Sequence, residues 1–267
     1  MKVYFFRGIK FIFLFLLVSK FQCVYPFSEV SFVDVRALSL GQVNALSQGF
    51  MNPAYLPFLE RKQIGVSVIN RYELKELNTR CLFGLIPNSL LDMNFRLSVF
   101  GYDDYQLIEG EAGFAKKLSS GLSVGTSINY ITKNSILEEK IQKHISADLG
   151  FCWLINDACE WALTTENLIH TRNTQPTFCD TGIRYKLAPT AYILLESRYD
   201  FRNTFSVCAG LEYEIVKELR VRCGFRNNLQ STSLGFAYQI EHWKTETAFL
   251  FHPNLGVSTG IAMSYFF

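Results

Sequence analysis

From about residue 62 onward the chain alternates apolar and polar positions with a period of two, and turn residues separate the alternating runs. This pattern predicts consecutive antiparallel strands. Between Ile141 and Trp153 the positions Ile141, Ile145, Leu149, Phe151 and Trp153 are apolar, with Gln142, His144, Ser146, Asp148 and Gly150 between them. Leu122, Val124, Ile128 and Tyr130 alternate in the same way with Ser123, Gly125, Ser127 and Asn129, as do Phe95, Leu97 and Val99 with Asn94, Arg96 and Ser98. Leu219, Val221, Cys223 and Phe225 alternate with Arg220, Arg222, Gly224 and Arg226. Fourteen strands are predicted, at 63–70, 78–86, 92–101, 105–118, 121–132, 141–154, 158–168, 178–187, 190–200, 203–215, 218–227, 229–241, 243–250 and 257–267. The number is even, as single-chain outer-membrane barrels require, and residues 62–267 supply about 15 per strand where ~9–11 cross a membrane.

A soluble β-sandwich also alternates, so the content of the polar face has to separate the two architectures. That face is read as carrying Gly110, Gly113, Gly125, Gly150, Gly182, Gly210, Gly224 and Gly235 beside charged residues, as a crowded lumen would. Its acids are Glu109, Glu111, Asp148, Asp180, Glu196, Glu212 and Glu214; its bases are Arg96, Lys117, Arg184, Lys186, Arg198, Arg220, Arg222 and Arg226. Pairing Ile215 with Leu219 sets Tyr213 opposite Val221 and Leu211 opposite Cys223, with Glu214 facing Arg220 and Glu212 facing Arg222. Pairing Leu187 with Ala191 sets Asp180 opposite Arg198. Cross-strand opposite charges of this kind contribute a few tenths to ~1 kcal/mol each. The balance of charge predicts an ion-paired interior over a strongly ion-selective pore. The expected fold class is therefore all-β, a transmembrane antiparallel barrel of about fourteen strands; a secreted β-sandwich adhesin is the soluble alternative.

Residues 1–28 read as a signal peptide, with Lys2, Arg7 and Lys10 ahead of the apolar run Phe11–Val18, which is too short to span a bilayer. No later stretch approaches the length of a transmembrane helix. Residues 29–61 then form an N-terminal plug-like segment and 62–267 the barrel. Composition adds an aromatic share of 15% with 24 Phe and 13 Tyr, suited to strands and membrane interfaces. A net charge of +2 gives no footprint for nucleic acid. Seven cysteines without paired CxxC spacing suggest neither a zinc site nor a disulfide scaffold. The register that pairs Trp153 with Trp161 sets Cys152 opposite Ala162, which separates Cys152 from Cys159. The four histidines show no metal-ligand spacing, and no catalytic or phosphate-cradling motif occurs, so no enzyme, cofactor or metal is expected. Ile261, Met263, Tyr265 and Phe267 alternate to a terminal aromatic, the pattern expected of a signal for the barrel-insertion machinery.

The stretch Val35-Arg36-Ala37-Leu38-Ser39-Leu40-Gly41, followed by Met51-Asn52-Pro53-Ala54-Tyr55-Leu56, resembles the opening of the FadL-type fatty-acid transporter superfamily and its PorV/PorQ relatives. Thr165-Glu166-Asn167-Leu168, Gly182-Ile183-Arg184-Tyr185, Gly210-Leu211-Glu212-Tyr213, Arg222-Cys223-Gly224-Phe225 and His252-Pro253-Asn254-Leu255-Gly256 extend the resemblance in order. The sequence departs from the pattern in a shortened stretch between Gly41 and Asn52 and in short loops. The resemblance implies a barrel with its N-terminal segment inside or at the periplasmic mouth, in the cell outer membrane. It implies that Asn52, Pro53 and Ala54 are plug or ligand residues, and that the protein passes or binds a hydrophobic small molecule or serves type IX protein secretion. The partners it implies are outer-membrane lipid, the insertion machinery, and a hydrophobic small molecule or secretion-system proteins.

Overall fold

The computed structural model describes residues 33–47, 50–136, 141–171, 176–201 and 204–267. The predicted signal peptide at 1–28, with Cys23, lies outside the described residues. Fourteen strands follow in chain order: β1 (Gln63–Asn70), β2 (Asn78–Ile86), β3 (Asp92–Tyr102), β4 (Tyr105–Lys117), β5 (Leu122–Ser135), β6 (Gln142–Asn156), β7 (Cys159–His170), β8 (Phe178–Ala188), β9 (Ala191–Asp200), β10 (Thr204–Val216), β11 (Leu219–Arg226), β12 (Ser231–Ile240), β13 (Trp243–His252) and β14 (Gly256–Phe266). Each pairs antiparallel with its sequence neighbours. β14 returns to β1 from Gln63–Phe266 to Asn70–Thr259, so the sheet closes into a barrel and has no free edge. Closure overturns the sandwich alternative, which needs two separate sheets packed face to face.

The alternation now acquires directions. Ile261, Val66 and Leu97 point outward and are 58%, 52% and 47% exposed, an arrangement that a surface facing water would not sustain around a whole barrel. Trp153, Tyr185, Tyr213, Tyr238 and Trp243 ring one end of this apolar band, and Tyr199, Phe201, Phe205, Phe249 and Phe251 ring the other. Two aromatic girdles bounding an apolar belt are the exterior of a barrel seated in the outer membrane. No helix among the described residues is long and apolar enough to cross a membrane. The turns at 157–158, 189–190, 217–218 and 241–242, all at the end where β1 begins, are two residues long, whereas β1 and β2 are joined at the other end by 71–77. Short turns mark the periplasmic mouth.

Asp180 pairs with Arg198, Tyr213 with Val221, Leu211 with Cys223, Glu212 with Arg222 and Glu214 with Arg220. Trp153 faces Trp161 and Cys152 faces Ala162, and the six described cysteines are all free. The turn ends differ from expectation. Leu219 pairs with Val216, not Ile215, and Ala191 with Ala188, not Leu187, because a bulge after Glu214 and another after Lys186 each insert one extra residue before a two-residue turn. Gly110 also differs. It lies between Glu109 and Glu111, whose side chains are buried inside, so strand alternation sends it to the lipid face, where an added Cβ would meet nothing within 4 Å.

Leu97 sits midway along β3 on the lipid face. Leu97→Arg is expected to cost ~2–4 kcal/mol at that depth, measured as a lowered midpoint of urea unfolding in lipid vesicles.

Candidate functional site

The inner wall carries a belt of small residues. It runs through Gly260, Ala248, Gly235, Gly224 and Gly210, is interrupted on β9 by Leu194 and Glu196, and resumes through Gly182, Ala162, Gly150 and Gly125; Gly210 faces Gly224, Ala162 faces Gly182 and Gly150 faces Gly125. The N-terminal segment lies along this belt. Its short helix α1 (Val35–Ser39) packs on β11 to β14, and a 3₁₀ turn at Pro53–Phe58 packs on β3 to β6. A side chain at Gly224 would strike the Gly41 nitrogen at 2.1 Å, one at Gly235 the Ser39 Cβ at 2.3 Å, and one at Gly150 the Asn52 Oδ1 at 2.2 Å. The missing side chains make room for the plug backbone. Gly41 itself takes φ +76° where the segment leaves α1, against Phe225.

Apolar contacts fill the space between. Val35 and Leu38 pack on Ile69, Ala248 and Leu250; Leu40, Val43 and Leu46 on Cys152, Leu194 and Cys208; Phe50 and Leu56 on Cys81, Phe83 and Leu85. Polar anchors then fix the register. The Glu196 carboxylate accepts the backbone N–H of Asn44 and of Ala45, each at 2.8 Å, one on each oxygen. Asn52 Nδ2 donates to the Ala45 carbonyl at 2.8 Å, while its Oδ1 accepts the Ala54 N–H at 3.0 Å and caps the 3₁₀ turn that Pro53 opens. The Asn52 amide also reaches the carbonyls of Phe151 and Leu163 on the wall, and Ser123 Oγ donates to the Ala54 carbonyl. The plug is thereby tied to β5, β6, β7 and β9 by backbone-directed bonds.

The charged residues form three buried sets. Arg96 binds Glu109 at 2.7 Å and, through Nε, Glu111 at 2.9 Å. Arg198 binds Glu166 at 2.7 Å and Asp180 at 3.5 Å. The third set is a chain: Lys244–Glu246 at 2.9 Å, Glu246–Arg222 and Arg222–Glu212 at 2.6 Å, and Glu212–Arg36 at 3.3 Å. Arg184 continues it, with Nη2 at 3.9 Å from Glu212 and Nη1 at 3.3 Å from Glu160, whose carboxylate binds the Tyr55 hydroxyl. Arg36, at Glu212 in the middle, and Tyr55, at the Glu160 end, thus tie the plug to one ion chain at two points. Burial, and then the adjoining Glu160 carboxylate, push the Tyr55 hydroxyl well above the usual tyrosine range, so it stays a donor. Burial and Glu246 likewise push the Asp34 carboxyl up, where it receives the Ser47 hydroxyl at 3.1 Å.

The predicted residues fall into separate places. Arg96, Asp180, Arg198, Glu212 and Arg222 are buried inside, whereas Glu214 and Arg220 pair at 3.1 Å in the partly exposed periplasmic mouth. Asn52, Pro53 and Ala54 lie against the wall glycines. Ile261, Met263, Tyr265 and Phe267 run along the outer face of β14 to the periplasmic girdle, where Tyr265 stacks edge-on with Trp243 and Phe267. The plug-side groups Arg36, Asn44 and Tyr55 and the wall acids Glu160, Glu166 and Glu246 were not expected. Glu246 and Lys244 could have been found from the alternation of β13; Arg36 and Asn44 carry no periodic signal, because their wall partners are 122 or more residues away.

No protein-family model matches the sequence, and no curated protein does. Among solved structures, the barrel is similar to a FadL homologue of Pseudomonas aeruginosa, with a TM-score of 0.67 at 9% identity over 90% of this chain and 99% of that one. It is similar to the CymD monoaromatic hydrocarbon channel, with a TM-score of 0.69 at 11% identity over 90% and 99%. It is also similar to the toluene transporter TodX of Pseudomonas putida, with a TM-score of 0.63 at 11% identity over 91% and 99%. At these identities what is shared is the fold.

Two outcomes follow from the site. Gly224→Ala forces plug and wall apart and is expected to cost ~1–3 kcal/mol, while Gly110→Ala on the lipid face stays within about ±0.5 kcal/mol, both read as urea midpoints. Arg222→Met removes the cation between Glu212 and Glu246, leaving them only Arg36 and Lys244, and is expected to cost ~3 kcal/mol; a clearly smaller loss in Arg222→Lys would assign that cost to the missing charge.

Proposed function

We propose that the protein is a gated outer-membrane channel for small apolar molecules, in which the N-terminal segment is the stopper. The observation that carries this reading is the seating of residues 33–47 and 50–59 inside the closed barrel on a belt that omits side chains to receive them. A segment held by a few directed bonds, on a surface shaped for it, can shift without breaking any strand pair. The lining supplies the affinity. Phe100, Leu107 and Ile131 form a buried apolar cluster facing inward at the extracellular ends of β3, β4 and β5, and Phe50, Leu56, Phe83 and Leu85 form another nearer the periplasm. Arg96, held by Glu109 and Glu111, lies between them. An apolar cargo would lose water at the first cluster and meet the plug at the second. The reading involves no catalytic step and no cofactor. Outer-membrane lipid is the solvent of the outer face, and the outward aromatic end of β14 suits recognition by the insertion machinery.

A second reading, a scaffold barrel of the PorV/PorQ kind in type IX secretion, draws on the density of ion pairs, which would suit a permanently closed interior. Uptake distinguishes the two. Gram-negative cells with an intact outer membrane and expressing the protein are expected to take up a labelled monoaromatic hydrocarbon faster than cells without it, with no gain for a sugar of similar size. Phe100→Asp places a charge in the apolar vestibule and is expected to reduce that gain by about tenfold. Equal gains for sugar and hydrocarbon would replace the reading with a water-filled pore. No gain for either would favour the scaffold.

A further inference from the structure

One anchor of the plug differs from the others in chemistry. Glu196 is 2% exposed, and its only hydrogen bonds among those described are the two plug amides of Asn44 and Ala45, one on each carboxylate oxygen. Both bonds depend on ionisation. A protonated carboxyl keeps one good acceptor and turns its second oxygen into a donor, which then faces the donating N–H of the plug.

The surroundings are crowded with acid. Asp180 on β8 is fully buried beside the Asn44 side chain, and its ion pair with Arg198 is long, at 3.5 Å. Glu166 on β7 takes the same guanidinium at 2.7 Å and receives the Asn44 side-chain amide at 3.4 Å. From β11, Arg226 faces both Asp180 and Glu196 while holding Gln42 of the plug. From β10, Cys208 packs beside them, and Asp148 of β6 faces Glu166 from the other side. Arg198 is therefore shared by Asp180 and Glu166, with buried Glu196 beside them and Arg226 as the second cation. Like charges this close ionise as a coupled set and not one by one.

We infer that Asp180 and Glu196, beside the Arg198–Glu166 ion pair, form a buried proton-binding site, and that proton uptake reaching Glu196 releases the plug at Asn44 and Ala45. The ties through Asn52, Ser123 and Arg36 would not respond in this way. Asn52 and Ser123 do not titrate, and Arg36 holds Glu212 within a chain of alternating opposite charges. The site rests on the gated-channel reading for its purpose, although its chemistry can be read without transport.

The test uses the refolded full chain. In planar bilayers, lowering the solution from about pH 7.5 to about pH 4.5, across the carboxylate range, is expected to raise open probability by about tenfold. Glu196→Gln, which presents the hydrogen-bonding pattern of the protonated acid, is expected to be as open at neutral pH and flat with pH. Asp180→Asn removes the like charge beside Glu196 and is expected to move the response to lower pH. Glu214→Gln, at the exposed Arg220 pair, should leave it unchanged. In parallel, hydrogen-exchange protection of the Asn44 and Ala45 amides, corrected for the intrinsic pH dependence of exchange, is expected to fall with acidification in the unaltered protein and to be absent in Glu196→Gln. A conductance that ignores pH, or a Glu196→Gln variant that keeps the original pH response, overturns the latch. If neither protein conducts at any pH, the channel reading fails. The amide protection then decides the latch alone, and protection that persists in acid sinks it.

Discussion

A barrel of fourteen strands encloses more space than its own inward side chains fill, and the way the N-terminal segment occupies that space governs the rest of the structure. The wall gives up side chains where the segment passes and keeps them elsewhere. Leu40 and Gly41 are accommodated only because Gly210 and Gly224 face each other across β10 and β11. Ser39 needs Gly235, and Asn52 and Pro53 need Gly150 and Gly125. Close backbone approach then allows main-chain groups of the plug to be satisfied by wall side chains, as with Glu196, Ser123 and Ser233, the last of which accepts the Gly41 N–H at 2.9 Å.

The charges follow from the same constraint. An interior sealed by the plug is a poor solvent, so each buried guanidinium needs carboxylates around it. Arg96 has two on one neighbouring strand. Arg222 has Glu212 on β10 and Glu246 on β13, and Arg36 reaches Glu212 from the plug, so one ion chain joins plug and wall. In the set around Arg198, Glu196 spends both carboxylate oxygens on plug amides, which makes it chemically distinct from the others.

Much of the barrel was legible because period-two alternation is local: every strand was placed within three residues, and the pairs Asp180–Arg198 and Glu212–Arg222 followed from turn arithmetic. The arithmetic failed at Ile215 and Leu187, where a bulge adds a residue without altering the alternation around it. Gly110 misled because a glycine has no polarity of its own and was assigned by association. Glycines on a polar face suggest crowding in a lumen, whereas most of them are seats for the plug; that role depends on a segment more than 70 residues away in sequence and leaves no periodic trace. The Asn-Pro-Ala turn stood out by its composition, but its attachment to β5 and β6 is visible only in three dimensions.

The most direct test of this account fixes the plug to the belt. In a background with the native cysteines replaced by serine, Leu40→Cys and Gly210→Cys would be combined. A Cβ at position 210 lies 3.2 Å from that of Leu40, so a modest adjustment reaches the ~3.5–4.5 Å of a disulfide. The account predicts spontaneous oxidation on export, no free thiol in the folded barrel, and loss of the hydrocarbon uptake that reduction restores. Two thiols that both stay reactive toward a maleimide in the native barrel would show that the segment does not lie on the wall glycines, and would contradict the account at its base.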